Sequence, residues 1–118
     1  MKELKLQAPK PLLGILCQII RQYAEAAYPA GGSDCAQTAR AGLMDTAERI
    51  EQKFDPVKEL VVISRRIKSH IKAAIEYYIQ LESEQGRAQE AQIIATMLLD
   101  CLNGQVISEL QAQSVLIN

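Results

Sequence analysis

The sequence has no tryptophan, one phenylalanine and one histidine, and its other aromatic residues are four tyrosines. A core must then be built from aliphatic side chains, and little remains for stacking single-stranded bases. Cysteine occurs three times, as Cys17, Cys35 and Cys101, an odd number at wide spacing with no Cys-x-x-Cys pair. That pattern argues against a disulfide framework and against a zinc site of paired ligands, and it points to a reducing, cytoplasmic compartment. Each cysteine lies in an apolar-periodic segment, where a free thiol acts as a small hydrophobe. A single His70 and the lack of a Glu-x-x-His pair argue against a di-iron type of site. No metal and no cofactor are expected. Long apolar runs are also missing: Leu12 to Ile20 is interrupted by Gln18 and falls far short of the about 20 residues that span a bilayer. The polar, charged N-terminus does not read as a secretory signal, and no membrane partner is expected. The formal net charge is -1, so a global attraction to nucleic acid or an anionic membrane is absent.

What is present favours helix. Apolar residues make up 48% of 118 residues, enough for one domain with one real core. Residues 1–10 read as a flexible arm, punctuated by Pro9 and Pro11. Helix 1 is expected from about residue 11 to Tyr28, with Leu12, Leu13, Leu16, Ile19, Ile20, Tyr23 and Ala27 on one broad stripe. Pro29-Ala30-Gly31-Gly32 stops it. Ser33 caps helix 2, expected from Asp34 to about Phe54, with Ala36, Ala39, Leu43, Ala47, Ile50 and Phe54 on its apolar face. Asp55-Pro56 reads as a cap followed by proline at a first helical position. Helix 3 is expected from Pro56 to about Glu82, roughly 40 Å long. Gly86 marks a connection, with an unbroken helix as the alternative. Helix 4 follows from about Arg87 to Leu102 and ends at Asn103-Gly104. Residues 105–118 form a tail or a short fifth helix whose apolar end, Val115-Leu116-Ile117, is expected to pack on the bundle or on a partner. The fold expected is all-α, an antiparallel bundle of four helices, or five, with a long third helix.

The one local charge feature lies on that third helix. Lys58, Arg65, Arg66, Lys68 and Lys72 face a single acid, Glu59, over residues 58–72. On a helix Arg65, Lys68 and Lys72 line up at i, i+3 and i+7 with Ser69 beside them, and Tyr77 and Tyr78 stand further along. Such a stripe suits phosphates or an acidic protein face, or is a solvated face opposite the core. Arg65, Arg66, Lys68, Ser69, Lys72 and Tyr77 are therefore the candidate binding residues.

Arg65 and His70, with four residues between them, resemble in spacing the Arg and His that HEPN-type ribonucleases carry on a helix of an α-helical bundle. The resemblance covers residues 65–70 alone. It implies metal-independent RNA cleavage, usually across a dimer interface, with His70 as acid/base and Arg65 stabilising phosphorane charge. The family usually has a polar residue after the Arg, often Asn; here it is Arg66. A histidine phosphotransfer domain would need Lys and Gly at the third and fourth positions after the histidine, where this chain has Ala73 and Ala74.

The leading expectation is a non-catalytic helical interaction protein, such as a regulator, inhibitor, immunity protein or adaptor, that presents helix faces to a protein partner. Self-association as a homodimer is a fair expectation, because a small bundle buries more apolar surface in that way. A nucleic-acid-binding regulator using the basic stripe ranks second, and a HEPN-like ribonuclease third.

Overall fold

The computed structural model describes the backbone of residues 3–116 and the side chains of residues 3–113. Over this range the chain is mostly helical, with five α-helices and one two-stranded sheet. Where the sequence suggests a flexible arm, Glu3–Gln7 form strand β1. The signal was a period-two alternation. Leu4 and Leu6 are buried while Glu3 and Lys5 are exposed.

Helix α1, Lys10–Ala27, starts where Pro9 accepts the first amide bonds from Leu12 and Leu13. Pro11 costs nothing there, since amides of a first turn have no helical acceptor. Its inner stripe of Leu12, Leu13, Leu16, Cys17, Ile19, Ile20 and Ala24 is buried. Gly31, at φ +89°, turns the chain into α2, Asp34–Lys53. Ser33 caps that helix, its Oγ accepting from the Ala36 amide at 3.2 Å.

The largest departure from the helical expectation follows Asp55. Its Oδ1 accepts from the amides of Val57 (2.9 Å) and Lys58 (3.1 Å), so the Asp-Pro pair shapes a turn and not a helix start. Glu59 sits at φ +51°, and Asp55 and Leu60 bond to each other across the turn. Residues Leu60–Ser64 then form β2. Val61, Val62 and Ile63 are β-branched and fit a pleated surface better than a helix. β1 and β2 pair antiparallel with Leu4 opposite Ile63 and Leu6 opposite Val61, and these four side chains enter the core. A 3₁₀ turn, Arg65–Ile67, leads into α3, Lys68–Glu84. The third helix is thus 17 residues, about 25 Å, and not 40 Å.

Gly86 does end α3: at φ +80° it lets the Arg87 amide reach the Glu82 carbonyl at 2.9 Å. α4, Ala88–Leu102, stops at Asn103-Gly104, with Gly104 at φ +93°. The short fifth helix is present as α5, Glu109–Leu116. A reciprocal cap opens it: Ser108 Oγ accepts from the Gln111 amide, and Gln111 Oε1 accepts from the Ser108 amide. Side chains of Val115, Leu116 and Ile117 lie outside the described residues. α1 packs on α2 and α3, α3 on α4, while the sheet lies against α2 and α4. One core cluster draws on both strands and all five helices, with Ala112 as the contribution of α5. Among the described residues no helix is long and apolar enough to cross a membrane.

Three expectations follow. Leu6 is fully buried, so Leu6→Ala should destabilise by about 2–5 kcal/mol, measured by denaturant unfolding. An arm would show almost no change. Gly14 lies inside α1, and a Cβ built on it meets nothing within 4 Å. Gly14→Ala should therefore stabilise by about 0.5–1 kcal/mol and raise the melting temperature. Burial pushes the thiols of Cys17 and Cys101 up to about 11 from the ordinary 9.0. Below pH 9 folded and unfolded chains both hold these protons. Between 9 and 11 only the unfolded chain releases them, so stability falls as pH rises and levels off above 11. Unfolding at pH 8 and pH 10.5 should show this loss, and the Cys17→Ala, Cys101→Ala double variant should show less of it.

Candidate interaction surface

The strand pair and the turn after it decide where the basic residues stand. β2 ends at Ser64, whose Oγ accepts from the Arg66 amide at 3.3 Å and so holds the 3₁₀ turn. Arg65 leaves this turn toward β1, and its Nη2 donates to the Glu3 carbonyl at 3.4 Å. Arg66 is exposed on the turn, Lys68 is half-buried at the start of α3, and Ser69 and Lys72 are exposed on its first turns. Lys58 is separated from this group. It lies in the loop before β2, and a strand of five residues spans about 13 Å. The expected single stripe is therefore broken. Lys68 and Lys72 keep helical spacing, Arg65 and Arg66 belong to a turn, and Lys5 joins them from β1.

The surroundings of these cations differ from those of Arg21, Arg40 and Arg87. Arg21 makes a bidentate pair with Glu51 at 2.7 Å, Arg40 pairs with Glu25 at 2.8 Å, and Arg87 pairs with Glu82 at 2.8 Å. Each partner is an acid on another helix or across a helix connection. The hydrogen bond from Arg21 holds the Glu51 carboxyl below its usual range, and Arg40 does the same to Glu25. By contrast, Lys5, Arg65, Arg66, Lys68 and Lys72 have no carboxylate within 4.0 Å among the described residues. Glu3 is the one acidic side chain in β1, β2 and the 3₁₀ turn.

Tyr77 does not belong to this group. It lies nine positions after Lys68, about 13 Å along the helix axis. Its ring is 5.8 Å from that of Tyr23, which in turn meets Tyr28 edge-on at 6.0 Å. Burial, followed by the neighbouring Tyr28, raises the Tyr23 hydroxyl above its usual range. Tyr77 thus helps close the seam between α1 and α3 and is not a free stacking platform. The same cluster takes His70, whose ring stands 6.3 Å from Tyr28. Arg65 and His70 are therefore held by different neighbours, the first by β1 and the second by the end of α1.

Two features escaped the sequence reading. One is a groove of about 520 Å³ between α1 and α2, floored by Leu13, Gly14, Cys17, Ile50 and Phe54 with Lys10 and Glu51 at its sides. The other is a groove of about 430 Å³ along the outer edge of β1, bounded by Glu3, Lys5, Gln7, Arg65 and Gly104. The alternation of residues 3–7 was the available signal for the second. No group of three or more His, Cys, Asp and Glu side chains is placed to hold a metal among the described residues. Compared with known proteins, the chain matches no family model, no curated protein and no solved structure.

Proposed function

We propose that this protein is a small, non-catalytic interaction module that binds a negatively charged macromolecule, in the first place an acidic segment of another protein. The observation that supports this most is the uneven use of cations. Three arginines are matched to carboxylates along the helix seams, while Lys5, Arg65, Arg66, Lys68 and Lys72 are grouped without one. A cation already in an ion pair has its charge balanced and adds little to a partner. An exposed, unpaired one attracts an anion over about the Debye length of 10 Å at 0.1 M salt. The free thiols of Cys17, Cys35 and Cys101 support a reducing, cytoplasmic setting for this binding.

A nucleic-acid-binding regulator is the second reading. The guanidinium of Arg66 and the ammonium groups of Lys68 and Lys72, with the exposed Ser69 hydroxyl beside them, would serve phosphates as well as carboxylates. The engagement of Tyr77 with Tyr23 counts against single-strand stacking and places this reading behind the first.

The test is fluorescence anisotropy with labelled deca-glutamate, a single-stranded RNA and a duplex DNA at 50 and 200 mM salt. Deca-glutamate should bind at low salt and weaken several-fold at high salt. The Arg65→Glu, Lys68→Glu, Lys72→Glu variant should lose at least tenfold. Equal binding by this variant and the wild type would overturn the proposal. Tighter, strongly salt-dependent binding of RNA or DNA would put the second reading first.

A further inference from the structure

The hydrogen-bond directions along β1 alternate from residue to residue. The Ala8 amide donates to the Glu59 carbonyl at 3.1 Å, so even-numbered residues of β1 point their amides and carbonyls toward β2. The odd-numbered residues then point theirs away from β2, to the outer edge. Gln7 confirms this: its carbonyl accepts from the Ile107 amide at 2.9 Å, and its own amide reaches the Cys101 sulfur. At the other end the Glu3 carbonyl is met by Arg65 at 3.4 Å, longer than the usual 2.7–3.2 Å range. Between these two stand-ins the amide and carbonyl of Lys5 have no partner among the described residues. They lie on the groove that runs past Gly104, where a Cβ would meet nothing within 4 Å.

We infer that this open edge of β1 docks an extended acidic segment of another protein, which adds as a third strand and pairs with Lys5. The inference rests on the cationic-surface reading and names the partner's conformation. The charge of the edge selects the occupant: Lys5 and Arg65 line the groove, Arg66 follows, and Glu3 is the sole acid of the strand pair. A second copy of β1 is a poor occupant, because antiparallel pairing about Lys5 sets two lysines opposite each other. The pattern of β1 dictates the pattern of its partner. Glu3 and Lys5 are exposed, whereas Leu4 and Leu6 face the core. An added strand therefore alternates, with an acidic residue beside Lys5 and apolar residues on the Leu4 and Leu6 face. Main-chain bonds to Lys5 supply register, and the arginines supply selection by charge. The weak Arg65 bond to the Glu3 carbonyl is released as the incoming strand takes its place.

The experiment uses the full chain, labelled with ¹⁵N, and an acetylated, amidated peptide of four Glu-Val repeats; the Lys-Val counterpart is the control. Amide hydrogen exchange at Lys5 should slow at least tenfold with the Glu-Val peptide and not with the Lys-Val peptide. Lys5→Pro removes the donor at an edge position where the folded chain does not use it, and should abolish peptide binding with circular dichroism unchanged. Lys5→Glu keeps the donor and should weaken binding about tenfold, which decides the matter if the proline variant unfolds. Unchanged exchange at Lys5, with peptide shifts confined to residues 66–72, would overturn strand addition and leave the cationic surface standing. No binding of Glu-Val peptide, deca-glutamate or nucleic acid would overturn both. Dimerisation through β1 in sedimentation without peptide would make a second copy the occupant and overturn the inference.

Discussion

The pairing of residues 3–7 with residues 60–64 is the constraint on which the rest of the structure depends. A two-stranded sheet is marginal in water by itself. This one persists because its inner face, Leu4, Leu6, Val61 and Ile63, is covered by helices and merges with their core. The pairing joins the start of the chain to its middle, so α1 and α2 must fold back between the two strands. It also sets the direction in which α3 leaves β2. Gly42 on α2 faces Ile67, and a Cβ there would stand 3.6 Å from the Ile67 side chain, an ordinary van der Waals contact. Arg49 Nε donates to the Val62 carbonyl at 2.9 Å and occupies part of the outer edge of β2. The far end of β1 is tied down by the Ile107 amide.

From this frame follows the division of charge. Arg21, Arg40 and Arg87 lie along the helix seams, where acids on neighbouring turns come within reach. Such exposed pairs are screened by solvent, so they trim the seams and do not hold the fold. The cations of residues 65–72 sit where the chain leaves the sheet, a region whose strands carry one acid. Their charge is left for something outside the chain. The open backbone groups of Lys5 lie beside them, so hydrogen-bonding capacity and positive charge occur together on one edge.

Much of the helical part was legible in the residues. Ser33 and Gly86 mark boundaries by local chemistry, one by a side-chain acceptor and the other by tolerance of positive φ. The stripes of α1, α2 and α4 follow the helical period, because each helix has one buried face. The region 55–67 departs from the helical expectation because Asp55-Pro56 suits a helix start and a turn equally well. The basic residues beyond it are good helix formers, which hid the β-branched run Val61-Val62-Ile63. Of the candidate binding residues, Arg65, Arg66, Lys68, Ser69 and Lys72 stand at the sheet exit and the start of α3, while Tyr77 belongs to the aromatic seam.

By itself the sequence determined the helical character, the positions of most helix ends and the aliphatic core, because each rests on contacts within a few residues along the chain. Only the tertiary structure decided that residues 3–7 are a strand. Five alternating residues gain nothing from extension until a partner 53 or more positions away supplies the other half of the ladder. It likewise decided which cations stay unpaired and which of them meet the open edge of β1. Those are properties of neighbours in space, set by where the sheet turns the chain into α3.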